Sequence, residues 1–262
     1  MIRKGFFLRL VFCIALMPIL AFAAPTSETP SSPGKDAQSL LSAFMSYTDL
    51  RIGSVQRSLE ILASTAEGRS GKWESMKGLL GGYQKSEDGL IVWYVRPDGT
   101  YDTVDKGLMN VKLSDRGYFP DLMAGMKITG ALVVSKSTGQ RSAIIAVPIK
   151  KNGKVVGAIG ASLFLDRLSD QVGSALDLRA DAAFFAMAPN GLTTLHSRTD
   201  RHFLDPRELG SESLKNAANE MLSGTSGEAT YEFDNATKHA IYRTSPVTQW
   251  KFVMAFSAAP HK

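Results

Sequence analysis

The chain has 262 residues, with 30 Lys and Arg against 25 Asp and Glu, a formal net charge of +5. Three of those cations, Arg3, Lys4 and Arg9, flank an apolar run; without them the charge is +2, too small an excess to point to nucleic acid. The single cysteine, Cys13, lies inside that run, so residues 24–262 carry neither a disulfide nor thiol chemistry.

Residues 1–23 have the order of an export signal: a basic start, an apolar stretch from Leu10 to Phe22, and the small-x-small site Ala21-Phe22-Ala23. The expected location is the periplasm. The alternative is an uncleaved inner-membrane anchor facing the periplasm, although the run is short for a span and contains Pro18. Residues 24–35 are rich in Pro, Ser and Thr and read as a linker. With Asp36 as N-cap, Leu41, Phe44, Thr48, Ile52, Val55, Leu59, Leu62 and Ala66 recur at spacings of three and four. They predict a long spine helix over 36–68 that ends near Gly68.

Trp73, Met76, Leu80 and Tyr83 predict a shorter helix, weakened at its end by Gly81-Gly82. Strands follow at 90–95 and 100–104 around the turn Pro97-Asp98-Gly99, then a short helix near 118–124. Three strands, 128–135, 141–149 and 155–165, are joined by Ser137-Thr138-Gly139 and Asn152-Gly153. A helix over 166–176 connects to a second pass of the same pattern. That pass has strands at 182–188 and 192–197 around Pro189-Asn190-Gly191, a helix capped by Ser211 and stopped by Gly224, and strands at 227–233, 237–243 and 249–256. Pro148 and Pro246 fall late in each half.

The repeat is one of element order. It predicts an α+β fold with two antiparallel-sheet modules, 69–168 and 169–257, each with helices on one side, and a tail at 258–262.

Asn110-Val111-Lys112-Leu113-Ser114-Asp115-Arg116-Gly117-Tyr118-Phe119 is similar to the LSDRxYF segment of double Cache sensor domains. Ser135–Gln140, Ile145–Ile149 and Gly153–Gly160 resemble that family's next three blocks in order and spacing, and Leu163–Leu168 its closing strand and helix start. The resemblance runs from Asp36 to Phe256. It implies two PAS-like modules with a ligand pocket in the first, and a sensor rather than an enzyme. Relatives sit in chemoreceptors, histidine kinases and cyclases; with the sequence ending at Lys262, the resemblance implies a freestanding sensor that signals through a separate membrane partner.

The candidate ligand residues are Arg116, Tyr118, Trp93, Tyr101, Ser162 and Asp115. Arg116 can fork onto a carboxylate, or pair on the surface with Asp115 or Asp121. Tyr118 can supply a hydroxyl and an aromatic wall, or pack on the sheet. Trp93 and Tyr94 are strand neighbours and face opposite sides, so only one lines a given pocket. Tyr101 has the same claim from the next strand, with core as its other role. Family members that bind amino acids show Arg-x-Trp-Tyr where this chain has Arg116-Gly117-Tyr118-Phe119. They also carry an aspartate where Ser162 stands, so a small organic carboxylate is expected rather than an amino acid.

His196, His202, His239 and His261 form no metal-ligand pattern, and no cofactor is expected. Ser32-Pro33-Gly34-Lys35 matches Ser-x-x-Lys but falls in the linker, and no nucleophile elbow or phosphate loop occurs. The rival readings are a ligand-free interaction module, which pairs with a receptor or with a second copy through the long helix, and an exported hydrolase.

Overall fold

The computed structural model describes residues 35–258. The expected signal segment, the Ser-x-x-Lys stretch up to Gly34 and His261 lie outside the described residues. Helix α1 (Lys35–Ser64) buries the predicted stripe from Leu41 to Leu62. It stops before the expected Gly68. Thr65 leaves helical geometry, and its hydroxyl caps a separate turn, α2 (Ala66–Arg69), by accepting the Gly68 N–H. Helix α3 (Trp73–Lys85) runs through Gly81 and Gly82, because Met76 and Leu80 are fully buried and tertiary packing outweighs the glycine penalty.

The first sheet contains β1 (Leu90–Val95), β2 (Thr100–Thr103), β3 (Gly107–Lys112), β4 (Ile128–Val134), β5 (Arg141–Lys151) and β6 (Lys154–Phe164), in the order β3-β2-β1-β6-β5-β4. Strand β3 is absent from the predicted order. It is an edge strand with no buried face, so it has no apolar alternation to read. Helix α4 (Phe119–Met123) lies between β3 and β4, and α5 (Leu165–Leu176) continues from β6. The module boundary expected at 168–169 therefore falls inside α5.

The second sheet is β8-β7-β11-β10-β9, built from β7 (Ala182–Met187), β8 (Thr193–His196), β9 (Ser226–Phe233), β10 (Ala236–Thr244) and β11 (Lys251–Ser257). Helix α6 (Glu212–Ser223) precedes β9, with Ser211 as its N-cap. The order β2-β1-β6-β5-β4 matches β8-β7-β11-β10-β9 strand for strand, so the predicted repeat is present.

The two opening hairpins show the repeat at atomic level. Gly99 and Gly191 both have positive φ, and their N–H groups donate to Arg96 O and Ala188 O, each at 2.9 Å. Asp98 accepts from the Thr100 N–H at 3.0 Å, and Asn190 from the Leu192 N–H at 3.1 Å.

Helices cover both faces of each sheet, not one. A single core joins α1 to the inner faces of both: Leu90, Val92, Tyr94 and Ile145 from the first, Phe184, Ile241 and Phe252 from the second. Phe44 of α1 meets Phe184 and Phe252 at centroid distances of 4.8 and 4.7 Å. The outer face of the first sheet packs under α4 and the segment before it, and that of the second under α6.

Polar contacts divide α1 between the modules. Its first half meets the second module: Arg243 donates to Gln38 and Ser42, and Ser245 to Asp49 at 2.7 Å. Its second half meets the first module: Arg51 pairs with Glu87, Thr129 donates to Gln56 at 2.7 Å, and Lys127 pairs with Glu60 at 2.6 Å.

Candidate functional site

Strand register decides between Trp93 and Tyr94. Trp93 is paired with Gly160 and Thr103, Val95 with Tyr101, and Ile91 with Ser162. Cross-strand partners project to the same side of a sheet. Trp93, Tyr101 and Ser162 therefore share the outer face, where they join Leu113, Tyr118, Phe119 and Leu122. Tyr94 faces α1 and donates its hydroxyl proton to Gly71 O at 2.7 Å.

The outer face is closely packed. The Trp93 indole lies across Gly160, where a Cβ would come within 2.2 Å of its ring. Its Nε1–H donates to Ser162 Oγ at 3.2 Å, and both residues are buried, 3% and 5% exposed. Tyr101 and Tyr118 are buried beside them. Burial pushes both phenols up from their ordinary pKa, while the Arg116 cation pulls the other way on each. No hydrogen bond reaches either hydroxyl from the described residues.

Arg116 and Asp115 stand at the rim. Arg116 Nη2 donates to Val134 O at 2.7 Å, across the sheet's far edge. Asp115 pairs with Lys136 at 2.6 Å rather than with Arg116, and that hydrogen bond holds its carboxyl below the usual carboxylate range. Lys136 also donates to Lys112 O, and Lys106 to Ser137 O. These contacts tie β3 and the residues on either side of it to the end of β4 and the turn between β4 and β5. The two edges of the first sheet are thus strapped together over the face that carries Trp93.

Beside this face, an open recess of about 430 Å³ runs between the modules. It is bordered by Tyr118, Asp121, Lys127 and Thr129 of the first module and by Asn190 and Trp250 of the second. That volume is in the range of small-molecule sites. Tyr118 belongs to both the recess and the packed face. Sequence reasoning did not find Lys127, Asn190 or Trp250, since no local motif marks residues that meet only across two modules.

The outer face of the first sheet holds no buried carboxylate. The only buried acid among the described residues, Asp102, lies on the Tyr94 side and is paired with Arg96 at 2.7 Å. An ammonium group on the Trp93 face would meet no buried carboxylate; the nearest acid, Asp115 at the rim, is already paired with Lys136.

A second polar cluster sits between α5 and the second module. Asp166, His202 and Ser169 are linked in series, at 2.7 Å and 2.9 Å. The order resembles a hydrolytic triad, but Ser169 is 3% exposed and already accepts the His196 N–H, so no acyl group can approach it. No group of three or more metal-ligating side chains gathers among the described residues, and none of their helices is long and apolar enough to cross a membrane.

No protein-family model and no curated protein matches the chain. Solved structures do. The sensory domain of the Campylobacter jejuni chemoreceptor Tlp3, with isoleucine bound, aligns with a TM-score of 0.64 at 15% identity, over 86% of this chain and 92% of that one. The ligand-binding domain of the Pseudomonas aeruginosa amino acid chemoreceptor PctB, in complex with L-Arg, gives 0.66 at 16% identity, over 85% and 92%. The extracellular domain of a protein named as a histidine kinase, rpHK1S-Z16, gives 0.70 at 16% identity, over 85% and 93%. These likenesses, with the duplicated strand order hung on one long helix, show that the chain has the double Cache fold.

Proposed function

We propose that the chain is an exported small-molecule sensor whose first module takes a small organic anion, and that it passes the signal to a separate membrane partner. The observation that carries the ligand class is the charge at the Trp93 face. Arg116 stands at its rim, two phenols within it lack partners, and it has no buried carboxylate to receive an amine. Binding requires the strap formed by Arg116, Lys136 and Lys106 to open. The bound anion then replaces Val134 O as the partner of Arg116, with Tyr101 and Tyr118 as neutral donors.

The neighbouring chemoreceptor domains were solved with amino acids, so the discriminating experiment sets the two classes against each other. Calorimetric titration with monocarboxylates, dicarboxylates and α-amino acids should give heat with carboxylates that lack the amine. Binding of amino acids alone would refute the anion assignment and keep the sensor. Binding of neither would favour a ligand-free interaction module.

That second reading has its own support. On the outer side of α1, Leu50 and Ile61 are 64% and 66% exposed. Light scattering across a concentration series, on wild type and on Leu50→Ser/Ile61→Ser, tests pairing through this helix.

A further inference from the structure

Asp166 lies in the first turn of α5, directly after the strand that carries Ser162, and Ser169 follows one turn later. His202 belongs to the second module, at the end of the short 3-10 turn Thr199–Arg201 that follows β8. His202 Nδ1 is 2.7 Å from Asp166 Oδ1, and its Nε2 is 2.9 Å from Ser169 Oγ. Ser169 Oγ also accepts the His196 N–H at 3.3 Å. The His202 side chain is completely buried, while Asp166 reaches solvent.

We propose that Asp166, Ser169 and His202 form a proton-operated fastener between α5 and the second module, closed while the imidazole is neutral and released when it is protonated. It stands whether or not the first module takes an organic anion.

One proton arrangement satisfies every atom. Nδ1–H donates to Asp166, Ser169 O–H donates to Nε2, and His196 N–H donates to Ser169 Oγ. A second proton on the ring breaks this chain. Nε2 then becomes a donor, the Ser169 hydroxyl must turn to another acceptor, and a charge stands inside the protein. Asp166 offsets that charge only partly, because its carboxylate is hydrated.

The other charged groups around the ring are mixed. Asp170 of α5 favours the cation, and Arg141 of β5 opposes it. The neighbouring His196 ring of β8 is neutral in neutral solution, with Arg198 and, from the 3-10 turn after it, Asp200 and Arg201 around it. Burial outweighs the Asp166 hydrogen bond and holds His202 below the ordinary imidazole pKa. The unfastened segment binds the proton more readily, so the fastener has its full strength above the ordinary imidazole pKa. It weakens as pH falls from there toward the lowered value.

The test is a ring-proton NMR titration of the full chain, with amide hydrogen exchange of residues 199–205 at pH about 7.5 and about 5, corrected for intrinsic exchange rates. His202 should titrate below the free imidazole value, and protection of 199–205 should fall about tenfold at the acid pH. Burial holds His196 below the ordinary imidazole pKa as well, so the comparison is made without that ring: His196→Gln should keep the step, and adding His202→Gln to it should remove the step. Unchanged protection in the wild type, or titration of His202 at or above the free value, overturns the proposal. So does a step that survives in the double variant His196→Gln/His202→Gln. Should His202→Gln not fold, the wild-type titration and the His196→Gln comparison decide.

Discussion

The Trp93 indole lies across Gly160, its partner in the β1–β6 register, and the bare glycine is what leaves room for the ring. Gly160→Ala places a methyl 2.2 Å from the indole. The indole must then move and lose its bond to Ser162. The expected cost is about 1–3 kcal/mol, measured by urea unfolding. An unchanged midpoint would mean that the ring is free to leave this seat, and that the face is open rather than packed.

Trp250 of the second module packs on Gly130, the residue at the β4 register shift, whose φ is +84°. An alanine there meets both the indole and an unfavourable backbone angle. Gly130→Ala should destabilise by about 1–3 kcal/mol. It should also alter the Trp250 fluorescence in the folded state, which a purely local backbone effect would leave alone.

Arg116→Ala removes a half-exposed side chain with one neutral acceptor, so stability should fall by no more than about 1 kcal/mol. Affinity for a carboxylate should fall at least tenfold, as expected for loss of a charge-assisted pair. Calorimetry with the best carboxylate measures both the binding and its loss; undiminished affinity would place the anion elsewhere, with Lys127 at the inter-module recess as the next residue to change.

Ser211 Oγ accepts the Leu214 N–H at 3.0 Å and donates to Glu232 O at 2.6 Å, so it caps α6 and ties it to β9. Ser211→Ala should cost about 1 kcal/mol. Ser211→Asp, which keeps the cap and loses the donor, should recover part of it in the same thermal melt.

Arg207 forks onto Asp205 and donates to Asn190 O at 2.9 Å, which steadies the Pro189-Asn190-Gly191 turn. The Arg207 hydrogen bonds hold the Asp205 carboxyl below its ordinary pKa. A depressed carboxylate contributes stability above its unfolded pKa and loses it as pH falls through the folded one. Asp205→Asn should therefore melt lower than wild type at neutral pH, with the gap closing in strong acid. A gap independent of pH would assign the loss to packing.

Most of the element order was legible because its signals are local. The stripe from Leu41 to Leu62 shows a helical period, and the Pro-x-Gly turns fix two hairpins whose hydrogen bonds match atom for atom. The alternation Trp93/Tyr94 says that the two side chains oppose each other, but only pairing with β6 and β2 says which of them meets Ser162 and Tyr101. Strand β3 escaped because an edge strand with both faces near solvent needs no apolar period. The end of α1 moved because a capping hydroxyl at Thr65 acted before the glycine.

The sequence alone determined the class of most elements and the duplicated order, since periodicity, caps and turns act within a few residues. Tertiary structure decided the rest. It set the strap between opposite sheet edges, the recess bordered by Tyr118 and Trp250, and the bond from His202 to Asp166, 36 positions away. Such contacts are chosen by how whole sheets and helices bury their apolar faces against one another, and no short stretch of sequence carries that balance.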